Sequence, residues 1–203
     1  MMVKENLKVA AIVLAAGASR RMGRSKMTLP FHGKTVLGTI LSTLHQAGVD
    51  PLIVVIGGAK EQVEKTLAEM PISVIRAYNP EFERTEMLDS LKIGMQALPE
   101  DVEAFLIVLG DQPQMQVETV KSILAEHRAG RHDLIIPSYE MRRGHPWLVS
   151  KALWPGLNSL TSDQTLRDFL RLQQDHIHYL IVDTPSILKD MDTPEDYQRA
   201  LKD

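Results

Sequence analysis

Four short apolar segments limit the folds that this 203-residue chain can adopt. They span residues 9–14, 52–56, 105–109 and 134–136, and in each of them apolar residues follow one another without a polar residue between them. A strand with one face in water alternates apolar and polar residues, whereas a strand that is covered on both faces does not. The segments therefore predict the buried strands of a parallel sheet.

Segments with the spacing of amphipathic helices follow these strands. They cover residues 36–47, 62–70, 90–98 and 117–128, and a glycine stands just past the first and the last of them. Alternating strands and helices predict right-handed βαβ units in an α/β fold, a three-layer sandwich with a Rossmann-like, mostly parallel sheet. Further on, we expect a helix in 163–172, a strand in 176–182 and a last helix from Pro194, all within one domain that spans residues 1–203.

The composition excludes several classes of site and partner. The chain contains no cysteine, which excludes a disulfide scaffold, a cysteine-ligated zinc site, an iron–sulfur cluster and a cysteine nucleophile. Its net charge of −3 and its 5% of aromatic residues argue against a nucleic-acid binder. The longest apolar stretch, residues 9–18, is shorter than the ~20 residues that span a membrane. We therefore expect a cytoplasmic protein with neither nucleic acid nor a membrane as its partner.

A loop of small and basic residues follows the first predicted strand. Residues 14–26 read Leu-Ala-Ala-Gly-Ala-Ser-Arg-Arg-Met-Gly-Arg-Ser-Lys, and Arg20, Arg21, Arg24 and Lys26 bring four cations into seven positions. Ligands of open α/β sheets bind beyond the carboxyl ends of the strands, and clustered cations with exposed backbone amides suit a triphosphate. The loop has neither the Walker A spacing nor the Gly-x-Gly-x-x-Gly spacing. A solvated basic loop without a ligand is the alternative.

The same loop carries a resemblance to a known family. Residues 14–26 match Leu-Ala-Ala-Gly-x-Ser-x-Arg-Met-Gly-x-x-Lys, which resembles the signature of MobA-like nucleotidyltransferases, closest to the molybdenum cofactor cytidylyltransferase type. Later segments resemble the same family in the same order: Gly110-Asp111-Gln112-Pro113, Arg143-Gly144-His145-Pro146 and Asp190-Met191-Asp192-Thr193-Pro194-Glu195-Asp196. The resemblance thus covers essentially the whole chain.

The resemblance implies a reaction and its participants. The enzyme would need Mg²⁺, would transfer the nucleoside monophosphate of an NTP to a phosphorylated acceptor, and would release pyrophosphate. The implied acceptor is molybdopterin, and the implied protein partners are maturation factors of molybdenum enzymes. The N-terminal half would bind the NTP and the C-terminal half the acceptor.

The resemblance also implies roles for individual residues. Lys26 is expected at the α-phosphate and Arg21 at the outer phosphates, and Asp111 completes the catalytic set. Mg²⁺ would be held by Asp111, which has no packing role after an apolar strand, and by Asp192, for which a helix N-cap is the alternative; Asp190 is a weaker candidate. The other expected nucleotide-binding residues are Leu14, Ala15, Ala16, Gly17, Ser19, Gly23, Asn79, Asp89 and Ser90. The expected acceptor-binding residues are Arg142, Arg143, Gly144 and His145.

One segment departs from the family pattern and bears on the base. Where the cytidylyltransferases usually carry Gly-Met-Ser-Ser-Ser-Leu, residues 86–91 read Glu-Met-Leu-Asp-Ser-Leu. Asp89 could accept a hydrogen bond from the amino group of cytosine or of guanine, and Leu88 in place of Ser should shrink the base pocket. We therefore expect CTP first and GTP second. Guanylyl transfer, transfer to a sugar phosphate and nucleotide binding without catalysis are the open alternatives.

The histidines show no metal-binding spacing in the sequence. His145 is expected to have a structural or positioning role, because transfer to a phosphate acceptor needs no strong base. His176 and His178 occupy alternate positions of a predicted strand, and we interpret them as surface residues.

Overall fold

The computed structural model describes residues 7–17, 25–130 and 132–202. Within these ranges the strands are β1 Val9–Ala15, β2 Pro30–Phe31, β3 Lys34–Thr35, β4 Leu52–Ile56, β5 Ile75–Tyr78, β6 Ala104–Leu109, β7 Leu134–Tyr139, β8 Arg142–Arg143, β9 Trp147–Ser150 and β10 Ile177–Ile181. The α-helices are α1 Val36–Gln46, α2 Lys60–Ala68, α3 Met87–Gln96, α4 Val117–Arg128, α5 Trp154–Asn158, α6 Leu166–Leu172 and α7 Pro194–Ala200. Short 3₁₀ turns cover Lys26–Thr28, Lys151–Leu153, Gln174–His176 and Pro185–Leu188.

The main sheet has the strand order β10-β7-β9-β6-β1-β4-β5, and the short β8 pairs with β7. Strand β1 lies parallel to both β4 and β6, and β4 is parallel to β5. Strand β9 runs antiparallel between β6 and β7, and β10 is parallel to β7 at the edge. The predicted α/β fold with a mostly parallel sheet is therefore confirmed, and the antiparallel β9 is the feature that the sequence pattern did not predict.

Helices cover both faces of this sheet, and the interior strand β1 shows why the sequence of such a strand does not alternate. Ala11 and Val13 belong to the core on the side of α1 and α4, whereas Ala10 and Ile12 belong to the core on the side of α3, α5 and α6. All four side chains are fully buried. Successive side chains of a strand point to opposite faces, so a strand covered on both faces must be apolar at every position.

The predicted elements agree with the structure where their local signal is strong. The central strands and α4 occur where the sequence predicts them, and α7 begins at Pro194. The predicted helix in 163–172 begins only at Leu166, after a capping box formed by Thr165 and Asp168. Strand β5 was not predicted, because this edge strand carries the charged Arg76 and is only partly buried. No helix among the described residues combines the length and the apolar character needed to cross a membrane.

The carboxyl ends of β1 and β6 define the edge where a ligand can bind. Leu14 and Leu109 are register partners, and the N–H of Gly110 donates to the carbonyl of Leu14 at 3.1 Å. A Cβ atom on Gly110 would lie 2.7 Å from that carbonyl oxygen, so only glycine allows the two loops to approach this closely. The loop after β1 and Asp111 after β6 consequently lie side by side.

Candidate active site

Lys26, Asp111 and Asp192 meet at this edge of the sheet. The Lys26 Nζ atom lies 2.5 Å from Oδ1 of Asp192 and 3.7 Å from Oδ2 of Asp111. Lys26 begins the turn that follows the basic loop, Asp111 follows β6, and Asp192 precedes α7. Three residues that the sequence analysis assigned to phosphate or metal binding thus lie within contact distance, although they come from distant parts of the chain.

The start of α7 tests one of the two roles that the sequence left open for Asp192, the helix N-cap. Thr193 is the N-cap residue, since its hydroxyl accepts from the N–H of Asp196 at 3.1 Å. The Asp196 carboxylate in turn accepts from the N–H of Thr193 at 2.9 Å, which completes a capping box. The carboxylate of Asp192 therefore is not the cap, and it pairs with Lys26 instead.

Asp111 lies in an unusually acidic environment. Burial raises the pKa of its carboxyl, the Lys26 ammonium lowers it, and the nearby carboxylates of Asp190 and Asp192 raise it again. Asp190 accepts a hydrogen bond from the buried Gln112 at 2.7 Å, and the N–H of Met191 donates to the carbonyl of Asp111 at 3.0 Å. These bonds fasten the segment before α7 to the loop after β6. Asp111 and Asp192 lie beside the Lys26 ammonium, and Asp190 is near enough to Asp111 to act on its pKa. Carboxylate oxygens are ligands that a hard divalent cation prefers.

A cavity of about 250 Å³ opens beside this cluster, between the ends of β1 and β6 and the start of α3. Its wall is formed by Leu14, Ala16, Gly17, Lys26, Met27, Phe82, Thr85, Glu86, Met87, Ser90, Leu109, Gly110 and Asp111. Leu14, Ala16, Gly17 and Ser90 were predicted nucleotide-binding residues. Phe82 and Thr85 were missed, because no motif marks them and only the path of the chain from β5 to α3 brings them to the cavity. Met87 was also missed, although it is retained from the family pattern at residues 86–91.

Around the start of α3, several residues that were predicted to contact the base make structural contacts. The buried amide of Asn79 donates to Ser90 Oγ at 3.0 Å and to Thr85 Oγ1 at 2.9 Å, so it supports two wall residues from behind. Asp89 accepts from the N–H of Glu86 at 3.0 Å and thereby caps α3. Leu88 is buried in the hydrophobic core and does not line the cavity. The expectation that Leu88 shrinks the base pocket is wrong, and so is the steric argument for CTP that depended on it.

A second cavity of about 840 Å³ lies next to the first, and Met87 contributes to both. The other lining residues are Arg143, His145, Trp147, Leu166, Arg167, Leu170, Arg171, Gln174, Ile177 and Tyr179. Among these described residues none is acidic, whereas three are arginines. The lining of this cavity therefore combines basic and apolar side chains.

Flat side chains are arranged in pairs around the second cavity. The rings of His145 and Trp147 stack with centroids 4.5 Å apart, and the guanidinium of Arg143 lies 5.8 Å from the centre of the Tyr179 ring. Burial lowers the pKa of His145 to about 4, so its imidazole is neutral at pH 7.

Two of the four predicted acceptor residues do not line this cavity. Arg142 is exposed on β8, and Gly144 packs against Ile187, where a Cβ atom would lie 2.3 Å from the carbonyl oxygen. Gly144 is thus needed for close backbone packing. Arg143 and His145, by contrast, stand where an acceptor could reach them.

Part of the basic loop lies outside the described residues. Ser19, Arg21 and Gly23, which the sequence analysis assigned to the nucleotide, fall there, together with Arg20 and Arg24. Their roles stay predictions.

The comparison with known families agrees with the loop signature. A family model described as the MobA-like NTP transferase domain matches residues 11–178. The chain belongs to this family. The match begins inside β1 and extends into β10, so it includes the loop, Asp111, the first cavity and every lining residue of the second cavity except Tyr179. The family recognised from residues 14–26 is confirmed, and with it the enzyme class, a nucleotidyltransferase.

Full-length relatives share between a quarter and a third of their residues with this chain. The molybdenum cofactor cytidylyltransferase of Escherichia coli is 29% identical over 189 residues, which cover 93% of each chain. The nicotine blue oxidoreductase of Paenarthrobacter nicotinovorans is 28% identical over 200 residues, 95% of this chain and 96% of its own. The relatives therefore carry more than one activity.

Solved structures support the same fold. Rv0371c of Mycobacterium tuberculosis H37Rv superposes with a TM-score of 0.82 at 30% identity and covers 97% of this chain and 98% of its own. The same protein has been solved in complex with manganese, with a TM-score of 0.77, 28% identity and coverage of 96% and 98%. A CMP-2-keto-3-deoxy-manno-octonic acid synthetase complexed with CTP has a TM-score of 0.77 at 14% identity, covers 96% of this chain and 97% of its own, and supports the fold alone.

Proposed function

We propose that this nucleotidyltransferase transfers CMP from CTP to a phosphorylated acceptor, with molybdopterin as the first candidate, and releases pyrophosphate. The observation that carries the proposal is the position of Lys26 between Asp111 and Asp192, at the mouth of a cavity whose wall includes the loop signature. CTP is placed first because the relative from Escherichia coli, which matches over nearly its whole length, is a cytidylyltransferase. GTP is the second candidate.

Asp111 and Asp192 are the residues that would hold Mg²⁺, and Asp190 is near enough to Asp111 to raise the pKa of its carboxyl. Their carboxylate oxygens match the hard ligands that this cation prefers, and the manganese complex of the mycobacterial relative supports a divalent cation in this family. When bound, such a cation neutralises phosphate charge and helps to align the leaving pyrophosphate.

Lys26 is the residue of this site best placed to act on the α-phosphate. Its ammonium is largely buried, lines the first cavity and pairs with the carboxylates of Asp192 and Asp111. A fixed positive charge stabilises the negative charge that develops during transfer and needs no reorganisation to do so. The acceptor phosphate oxygen would form the new bond to the α-phosphorus while the bond to pyrophosphate breaks, opposite the entering oxygen.

The backbone at Ala16 and Gly17 allows the nucleotide to approach closely. Both residues line the first cavity, and among the described residues no atom other than those of its chain neighbours would lie within 4 Å of a Cβ atom on Gly17. Arg21 would hold the outer phosphates. In this arrangement the base would reach toward Ser90 and Thr85. The Thr85 hydroxyl already donates to the carbonyl of Glu81 at 3.0 Å, so Ser90 is the better placed of the two to donate to the base.

The second cavity is the proposed acceptor site. Three arginines favour an anionic acceptor, and the flat faces of Trp147 and Tyr179 favour one with a planar ring system. Both features fit molybdopterin, whose phosphate would point through the region of Met87 toward Lys26. A neutral His145 would contribute a hydrogen bond or a stacking surface and no charge.

The decisive experiment measures pyrophosphate release with each of the four ribonucleoside triphosphates, with and without Mg²⁺ and molybdopterin. We expect release only when CTP, Mg²⁺ and molybdopterin are all present. Thermal shift with each NTP separates binding from turnover, because a ligand of the native state raises its stability. Asp111→Asn should abolish release, and Asp101→Asn, an exposed carboxylate paired with Lys8, is the matched control.

Each other outcome points to a different function. Preference for GTP would mean that the transferred nucleotide is GMP. Pyrophosphate release with a sugar phosphate instead of molybdopterin would mean that the acceptor is a sugar phosphate. Stabilisation by an NTP without release under any condition would contradict catalysis. Because one relative is a nicotine blue oxidoreductase, the panel includes a redox assay with nicotine blue, and activity there without pyrophosphate release would overturn the proposal.

A further inference from the structure

Three side chains of metal-binding type meet on the face of the sheet opposite the second cavity. Glu126 belongs to the last turn of α4, His132 to the connection before β7, and His178 to β10. The Nε2 atoms of His132 and His178 lie 3.5 Å and 3.9 Å from the same carboxylate oxygen of Glu126. The two imidazole rings stack with centroids 3.8 Å apart and an interplanar angle of 5°.

The distances between the three ligand atoms are close to those of a metal site, but one imidazole ring must still rotate. The candidate ligand atoms all lie within 4.8 Å of one another. Bonds of 2.0–2.2 Å to a tetrahedral ion place neighbouring ligand atoms about 3.4 Å apart, close to the two separations from Glu126. Because the rings are parallel, one of them must turn about its Cβ–Cγ bond before both nitrogen lone pairs point at one ion.

The donor set selects a class of ion. Two imidazoles and one carboxylate suit first-row transition ions such as Zn²⁺, whereas Mg²⁺ prefers oxygen ligands and water. Three protein ligands leave a fourth position, and the side chains are accessible enough for an ion to enter, with 24% of Glu126 and 32% of His132 exposed. The site therefore differs in chemistry from the carboxylate cluster around Asp111.

The position in the fold gives such an ion a mechanical effect. Strand β10 is the edge of the sheet and is held on one side only, by β7. His178 would connect it to α4, while its neighbours Ile177 and Tyr179 point the other way and line the second cavity. An ion at this place would brace one wall of that cavity from behind.

We propose that Glu126, His132 and His178 form a binding site for Zn²⁺ or a related transition ion, separate from the Asp111 cluster, and that the bound ion fixes β10 against α4. The pairing of β10 with β7 brings the two histidines together. Their spacing in the sequence does not show the site.

The test measures Zn²⁺ and Co²⁺ binding to the full chain by equilibrium dialysis and calorimetry, with excess Mg²⁺ present to occupy oxygen-rich sites. We expect one ion per chain, a rise in Tm of about 5 °C at 100 times the dissociation constant, and Co²⁺ absorption bands typical of a four-coordinate site. His178→Asn and His132→Asn should each weaken binding at least about tenfold. His176→Asn, two residues from His178 in the preceding turn, is the matched control and should bind normally.

Two outcomes of these binding measurements would contradict a site at Glu126, His132 and His178. Binding that persists unchanged in both His132→Asn and His178→Asn, or binding that is lost in Asp111→Asn, would overturn the proposal. If either histidine variant fails to fold, the wild-type protein gives the answer by NMR. Co²⁺ should then broaden the ring signals of His132 and His178 before those of His176 and His45, and uniform broadening would contradict the site.

Discussion

The ammonium of Lys26 lies 2.5 Å from a carboxylate oxygen of Asp192, a residue 166 positions later in the chain. This contact joins the loop after β1 to the segment before α7, and Asp111 lies on the other side of the same ammonium. Because Lys26 is buried, its charge is screened by water far less than that of a surface lysine. The segment before α7 thus contributes to a cluster that begins with the loop after the first strand.

Replacement of Lys26 should affect turnover more than nucleotide binding. The charge opposite its ammonium grows in the transition state, so Lys26→Ala should lower kcat by about 100-fold or more and change KM for the NTP only a little. Arg21→Ala should mainly raise that KM, since the outer phosphates are charged throughout the reaction. Steady-state kinetics of both variants check this division, with the exposed Lys121→Ala as a control. Identical profiles for the two variants would contradict it.

Removal of the Asp111 carboxylate should lower activity without lowering the stability of the metal-free protein. Asp111→Asn should lose metal-dependent turnover by at least about 100-fold, because a ligand of the cation is gone. Without metal its Tm should stay the same or rise, since burial and the carboxylates of Asp190 and Asp192 disfavour the charge that the substitution removes. Calorimetry in a chelator tests the second part. A large fall in Tm would show that Asp111 is a structural ion-pair residue.

Asp89 is expected to stabilise α3 without reading the base. Asp89→Ala removes the bond to the N–H of Glu86 and should cost about 1 kcal/mol of stability, while the ratio of CTP to GTP turnover stays within about twofold. Asp168→Ala breaks the corresponding bond at the start of α6 and is the matched control. A changed base preference in Asp89→Ala alone would return Asp89 to base recognition.

The buried imidazole of His145 should make the protein less stable in mild acid. Burial lowers its pKa to about 4, whereas an unfolded histidine has a pKa of about 6.5, so the unfolded state binds a proton first as the pH falls. The free energy of unfolding should therefore be constant above about pH 7 and decrease between about pH 6.5 and 4. Urea unfolding at several pH values should show a weaker decrease in His145→Gln than in the control His45→Gln. Equal decreases would contradict the burial effect.

Arg143 and Arg142 offer a direct test of the acceptor cavity. They are neighbours on β8, but only Arg143 lines the cavity. Arg143→Ala should raise KM for the acceptor about tenfold or more and leave KM for the NTP unchanged, because a guanidinium that pairs with an anion is lost. Arg142→Ala should resemble the wild type. Equal effects of both substitutions would mean that only the general positive charge of β8 matters.

The sequence alone determined the features that depend on local patterns. Unbroken apolar segments predicted the central strands, because a strand covered on both faces cannot alternate. The small and basic residues at 14–26 predicted a phosphate loop at the end of β1, and their order identified the family. Asp111 could be named because a carboxylate that directly follows a buried strand has nothing apolar to pack against.

The tertiary structure decided everything that depends on which distant segments meet. Leu88 and Asp89 looked like pocket residues, but the rotation of α3 turns Leu88 into the core and leaves Asp89 at the helix start. His132 and His178 looked unrelated until β10 paired with β7. Spacing along a chain encodes helix and strand periods and caps, whereas the order of strands in a sheet follows from the packing of all the helices upon it. For that reason the motifs could be identified from the sequence, whereas the side chains that complete each site could not be predicted from it.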